Sequence, residues 1–287
     1  MPYFQHHNVN FHYVEECSQE KSKGTVIALH GLAQNTHYWT DTGITESLAK
    51  DYHVVCLDMR GHGLTTVDGE PKGYDVEVLI EDVNALANHL DIDRFHLMGH
   101  STGGMVAARY AMHYGQGANQ RLRSLLLCNT SASIMFSKMP KFANEAAIKA
   151  MAYSFEHFSW QQIIQGLKLQ PGPLFKGLAN HKDPKAMFDA AYEMMKHGDQ
   201  NSIADFVRVF YNDPDHHESA LRTIECPTLV VTAELDPIFT KTSEYFINNI
   251  PNVEHAHAKH IGHMTALEDP IWFNSVISKF LRQHHDK

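Results

Sequence analysis

Gly99-His100-Ser101-Thr102-Gly103 sets one serine between two glycines, directly after the apolar run Phe95-His96-Leu97-Met98 and ahead of Met105 to Tyr114, which has few helix breakers. This pattern predicts a strand that turns sharply into a helix, with small flanking residues leaving the serine hydroxyl exposed at the sheet edge. A serine hydroxyl is a weak nucleophile at neutral pH, so it needs a base to take its proton and a third group to orient that base. Histidine and a carboxylate meet both needs. The chemistry would be attack on a carbonyl carbon, followed by an acyl-enzyme and its hydrolysis. A flexible serine-glycine loop is the plain alternative, and the strand and helix patterns on either side count against it.

In such a sheet the two partners must come from the ends of later strands. The run Pro227-Thr228-Leu229-Val230-Val231-Thr232 is followed by Glu234 and Asp236, and the strand candidate Val253 to Ala258 is followed by His260 and His263. Asp236 is the better acid because Pro237 after it marks a turn, whereas Glu234 lies close to the strand end. Gly262-His263 stands just before the final helix, where a glycine permits the tight approach a catalytic imidazole needs, so His263 is favoured over His260. The base must be neutral, so activity is expected to fall as pH drops below about 6 to 7.

The elements that would position these groups alternate along the chain. Thr25-Val26-Ile27-Ala28-Leu29, Val54-Val55-Cys56-Leu57, Phe95 to Met98 and Leu125-Leu126-Leu127-Cys128 are short runs suited to a parallel sheet covered on both faces. Val76, Leu79, Ile80, Val83, Leu86 and Leu90 recur at helical spacing after Asp75, a capping residue, and the final helix shows Phe273, Val276, Ile277, Phe280 and Leu281. A doubly wound, mostly parallel α/β sheet follows. His30-Gly31-Leu32 and Asp58-Met59-Arg60-Gly61-His62-Gly63 lie just beyond strands, where open α/β sheets bind ligands, and neither carries a phosphate-binding pattern.

From about Ser131 to Glu225 the rhythm breaks, with helical segments such as Asn144 to Phe158 and Asp183 to His197 and no convincing strand. This predicts a helical insertion over 131–225 between core segments 1–130 and 226–287. It holds Met135, Met139, Met151, Met187, Met194 and Met195, with Phe136, Phe155, Trp160, Phe188, Phe206 and Tyr211. Most of these should fill the insertion's own core. Others are expected to line an apolar pocket over Ser101, a use that flexible methionines suit.

The chain has 287 residues, enough for one large domain or a domain with an insertion, and 43% of them are hydrophobic against 20% charged. A net charge of −9 gives no electrostatic reason to expect nucleic acid or an anionic membrane as partner, and no apolar stretch reaches the ~20 residues that span a bilayer. Met1-Pro2-Tyr3-Phe4-Gln5-His6-His7 lacks a secretory signal pattern, so a cytoplasmic protein with a small-molecule substrate is expected. Oligomeric state is not fixed by any sequence feature. Cys17, Cys56, Cys128 and Cys226 form no C-x-x-C pair and are taken as reduced, structural thiols. Of the 22 histidines, His255, His257, His260 and His263 crowd together, but zinc-site spacing is missing; no metal or organic cofactor is expected, and most histidines should be surface residues.

Taken together, His30-Gly31, Asp58 to Gly63, the Gly99 to Gly103 turn, Asp236 and Gly262-His263 occur in the order serine, acid, histidine. In this the chain resembles the α/β-hydrolase superfamily over nearly its whole length. The resemblance implies the α/β-hydrolase fold with an inserted helical cap, Ser101 as nucleophile, His263 as general base and Asp236 as its orienter. It also implies an oxyanion hole from the backbone N–H groups of Leu32 and Thr102. Haloalkane dehalogenases and epoxide hydrolases of that superfamily need an aspartate where Ser101 stands, which argues against both. The His-Ser-Thr-Gly-Gly turn is similar to those of some esterases and cofactor-free perhydrolases. A carboxylic ester with a small to medium, largely apolar acyl group is the first expectation. The same three residues would equally serve a lactone, thioester, amide or carbon–carbon bond next to a carbonyl, or perhydrolysis; a ligand receptor with little turnover is the reading from outside enzymology.

Overall fold

Residues 2–17, 23–69, 73–115, 117, 120–132, 140–212 and 217–285 are described by the computed structural model of the chain. The strands are β1 (Tyr3–His6), β2 (Val9–Cys17), β3 (Thr25–Leu29), β4 (His53–Leu57), β5 (Thr66–Val67), β6 (Phe95–His100), β7 (Leu122–Cys128), β8 (Thr228–Ala233) and β9 (Val253–Ala258). They join in one sheet of order β1-β2-β4-β3-β6-β7-β8-β9, with β5 pairing β2. From β4 to β9 every pairing is parallel, whereas β1, β2 and β5 are antiparallel. Every residue of β3, β6 and β8 is buried, as expected of strands covered on both faces.

Between the strands run α1 (His37–Thr40), α2 (Ile44–Leu48), α3 (Val76–His89) and α4 (Thr102–Tyr114). Asp75 caps α3 by accepting from the Val78 N–H. Helix α4 packs on β6 and β7, and α3 lies against α4. Among the described residues five α-helices lie between β7 and β8: α5 (Lys141–His157), α6 (Trp160–Leu169), α7 (Lys176–Asn180), α8 (Pro184–Met195) and α9 (Gln200–Phe210). They pair as α5 with α9, α6 with α8 and α7 with α8, which makes an inserted helical cap. The chain closes with α10 (Pro237–Asn249), α11 (Thr265–Glu268) and α12 (Pro270–Gln283).

The cap has its own interior, in which Trp160, Phe188, Met194 and Phe206 are buried. Met135, Phe136 and Met139 lie outside the described residues. Strands β1, β2 and β5 have no counterpart among the sequence expectations: β1 and β5 are four and two residues long, and in β2 the alternation Val9-Asn10-Phe11-His12-Tyr13 runs on into Val14 and buries a polar residue, His12. Its burial depends on a partner 46 residues away, Asp58, whose Oδ2 lies 2.7 Å from His12 Nδ1. Histidine is used inside the molecule more than its chemistry suggests: His12, His30, His62, His96, His100 and His263 are all buried. His255 and His257 sit on one face of β9, both with a ring nitrogen 2.8 Å from Thr232 Oγ1. Cys56, Cys128 and Cys226 are buried, Cys17 is exposed, and none of the four is in a disulfide.

Candidate active site

Ser101 occupies the turn from β6 into α4 with φ 52° and ψ −118°, a conformation that costs a non-glycine residue about 1–3 kcal/mol. The surrounding structure enforces it. The Ser101 N–H donates to the Cys128 carbonyl at 3.0 Å, and Thr130 Oγ1 donates to the Ser101 carbonyl at 2.6 Å. The glycines on either side give helix and strands room to meet: a Cβ on Gly103 would lie 2.6 Å from the Leu29 carbonyl oxygen, and one on Gly99 would lie 2.6 Å from the Gly104 nitrogen. Gly103→Ala is therefore expected to cost about 1–3 kcal/mol through overpacking against backbone that has little freedom to move, read as a lower urea midpoint with an unchanged m-value.

The ends of three strands converge on this turn. Asp236, three residues past β8, caps α10 by accepting from the Phe239 N–H and is fully buried. His263 follows β9 and is 5% exposed. Its Nδ1 is 2.7 Å from Asp236 Oδ2 and its Nε2 is 3.0 Å from Ser101 Oγ. A carboxylate can only accept, so the ring proton sits on Nδ1 and the Nε2 lone pair faces the serine hydroxyl. Ser101, itself 8% exposed, thus has a base within reach, and that base has an orienting carboxylate. Glu234 is exposed and engages His260 instead, accepting from its backbone N–H.

Residues that sequence reasoning passed over complete the setting. Asn129, directly beyond β7, donates from Nδ2 to Asp236 Oδ2 at 3.2 Å and accepts from Thr265 Oγ1 at 2.5 Å. Its position at a strand end is the signal that could have singled it out. The Phe239 ring stacks on the His263 ring with centroids 4.7 Å apart. His100 lies between the first ligand loop and the histidine loop, with Nδ1 3.1 Å from Gln34 Oε1 and Nε2 2.9 Å from the His263 carbonyl oxygen. Burial lowers the His100 ring pKa well below the usual histidine range. Glu268 accepts from the N–H groups of Gly262 and Met264, and burial raises its carboxyl pKa against the pull of those two donors.

A cavity of about 570 Å³ opens above Ser101 and His263. The core contributes Leu32, Gln34, Phe239 and Met264 to its wall, and the cap contributes Met151, Phe155, Phe158, Ile163, Leu167, Leu174, Phe175, Met195 and Tyr211. Met151, Met195, Phe155 and Tyr211 therefore serve the pocket, as expected for part of that set. No Asp, Glu, Lys or Arg is among the described lining residues. Tyr211 Oη is 2.6 Å from Thr102 Oγ1, and burial pushes its phenol up to about 12, so it remains protonated.

Residues 24–270 match the family described as the alpha/beta hydrolase fold. The chain belongs to that family. A proline iminopeptidase of Clostridium botulinum is 24% identical over 298 residues, covering 99% of this chain and 97% of its own. Among solved structures, MenH from S. aureus superposes with a TM-score of 0.80 at 20% identity, over 95% of this chain and 98% of its own. An enol-lactonase from Burkholderia xenovorans LB400 gives a TM-score of 0.78 at 18% identity, over 98% of this chain and all, 100%, of its own. The protein is a hydrolase-fold member with a serine-hydrolase-type arrangement of Ser101, His263 and Asp236 suited to carbonyl compounds. Among the described residues no helix is long and apolar enough to cross a membrane.

Proposed function

We propose that the protein is a serine hydrolase of neutral carbonyl compounds with a largely apolar acyl portion, in which Ser101 is the nucleophile, His263 the general base and Asp236 its orienter. Residues 131–225 act as the cap that shapes the acyl site. The observation that carries this reading is the join of a Ser101–His263–Asp236 relay to an apolar cavity whose described lining holds no fixed charge. A charged acyl group would lose its hydration there with no partner to replace it.

In this reading Ser101 Oγ attacks the carbonyl carbon while its proton passes to His263 Nε2, and Asp236 steadies the imidazolium through Nδ1–H. The tetrahedral oxyanion is held by the N–H of Leu32, which borders the cavity, and by that of Thr102, the first residue of α4, whose amide has no intrahelical partner. His263 returns the proton to the leaving group, and the acyl-enzyme is then hydrolysed by water with His263 again as base. Each oxyanion donor would contribute about 3 kcal/mol to the transition state.

The bond cleaved is best taken as wider than an open carboxylic ester. The relatives' own names include a peptidase and a lactonase, and the same relay handles any carbonyl with an oxygen or nitrogen leaving group. The test is a panel at equal concentration: p-nitrophenyl esters of rising acyl length, an aliphatic lactone, and an aryl amide. We expect kcat/KM to rise with chain length until the cavity is filled, with lactone turnover comparable to that of the ester of matched size. A strict preference for charged acyl groups would overturn the reading.

A further inference from the structure

The catalytic histidine loop is held from both sides of His263 by one side chain. Glu268, on α11 and 8% exposed, accepts from the Gly262 N–H through Oε2 at 2.5 Å and from the Met264 N–H through Oε1 at 3.1 Å. Two bonds to the peptides that bracket a residue fix its backbone, and so the direction in which its ring leaves the chain. On the outer side of the carboxylate lies the cap. A Cβ on Gly177, in α7, would overlap the Glu268 carboxylate, whose Oε2, Cδ and Oε1 would be its three nearest atoms, Cδ and Oε1 each 2.5 Å away. A Cβ on Gly262 would in turn lie 2.7 Å from Gly177 Cα. The core loop and the cap helix therefore meet backbone to backbone, with the carboxylate closed in between them.

We infer that Glu268 is a positioning residue for His263, and that the cap, seated through Gly177, keeps its carboxylate in that place. The inference rests on His263 being the base, as proposed above. Its consequence is that cap seating and base alignment are the same contact, although Gly177 and Glu268 are absent from the cavity wall. Gly177 sits in a helix with an ordinary backbone, and alanine is the better helix former, so harm from Gly177→Ala would come from the carboxylate it displaces. Glutamine at 268 can accept only one of the two N–H bonds and turns an NH2 toward the other.

The test compares the full-length protein with Gly177→Ala, Glu268→Gln, Glu268→Ala and the Gly177→Ala/Glu268→Ala double variant. The readouts are kcat and KM on the best p-nitrophenyl ester and the low-field proton resonance of the His263 Nδ1–H···Asp236 bond. We expect Gly177→Ala and Glu268→Gln each to lower kcat by about 10- to 100-fold with KM held within about twofold, and to shift or broaden the resonance. In the Glu268→Ala background the alanine has room, so adding Gly177→Ala should cost less than about twofold. Wild-type kcat and resonance in both single variants, or the same Gly177→Ala penalty in both backgrounds, would overturn the inference. If Glu268→Ala does not fold, Glu268→Asp, one carbon shorter, closes the cycle. Failure of the wild type to turn over any ester, lactone or amide of the panel would sink the hydrolase reading, whereas the proton resonance still decides the present one.

Discussion

Ser101→Ala is expected to lower turnover by on the order of 10⁴- to 10⁶-fold with KM little changed, because the hydroxyl supplies the bond that carries the reaction and contributes little to ground-state binding. The relay makes a second expectation on the same residues. Asp236→Asn keeps the packing around α10 but places a donor where His263 Nδ1–H needs an acceptor, so the ring favours the wrong tautomer and kcat should fall by about 10⁴-fold. A fluorophosphonate reports both effects without a known substrate, since it marks only a serine activated by its neighbours. Mass spectrometry of the wild type should show one adduct on Ser101, slowed or lost in Asp236→Asn and His263→Ala. Full esterase activity in Ser101→Ala, or an adduct elsewhere that persists in that variant, would refute the assignment.

The other large effect is on stability in mild acid. His62 and His96 are fully buried, and burial pushes both down to about 3. In the unfolded chain a histidine titrates near 6.5. Between those values the unfolded state binds protons that the folded state refuses, so stability is full above about pH 6.5 and falls as pH drops. From pH 7 to pH 5 each histidine contributes a loss of about 2 kcal/mol, or about 4 kcal/mol for the two. Asp82, in a buried bidentate pair with Arg60 and pushed up to about 6 by burial, works in the opposite sense and returns about 1 kcal/mol. The net loss is about 3 kcal/mol, and the lowered His30 and His100 act in the same direction. Urea denaturation at pH 7, 6 and 5 measures it, and a midpoint that does not move over that range would contradict the burial of these rings as neutral species.

The relay was legible in the sequence because each member must stand at the end of a strand, and buried parallel strands announce themselves as short apolar runs. Ser101 and Asp236 are each a few residues past such a run, so position along the chain stood in for position in space; His263 follows the edge strand β9, in which only Ala258 is buried, and its signal is the Gly262-His263 pair ahead of the final helix. Asp236 outranked Glu234 on a local feature, the following Pro237, which opens α10. Of the residues that hold the relay in place, Asn129 shares that signature, directly beyond β7, and the others do not. His100 and Gln34 are ordinary residues in sequence, and what matters is that 66 positions of chain separate two groups 3.1 Å apart. The value of Gly177 lies in a Cβ that is missing opposite a carboxylate contributed by another part of the chain. In β2 the burial of His12 was hidden for a related reason, since a histidine reads as polar until its aspartate is known.

The absence of fixed charge among the described residues around the cavity also bears on how a turnover ends. Hydrolysis of a neutral acyl compound creates a carboxylic acid, which at neutral pH gives up its proton and becomes an anion. Beyond the two oxyanion donors and His263, the described wall offers that anion no fixed cation to pair with, so keeping it there would forfeit part of its hydration. The enzyme would thus hold its substrate by the same surface that rejects its product. The departing acid should be a poor inhibitor, and the corresponding neutral alcohol or primary amide of equal chain length a better one.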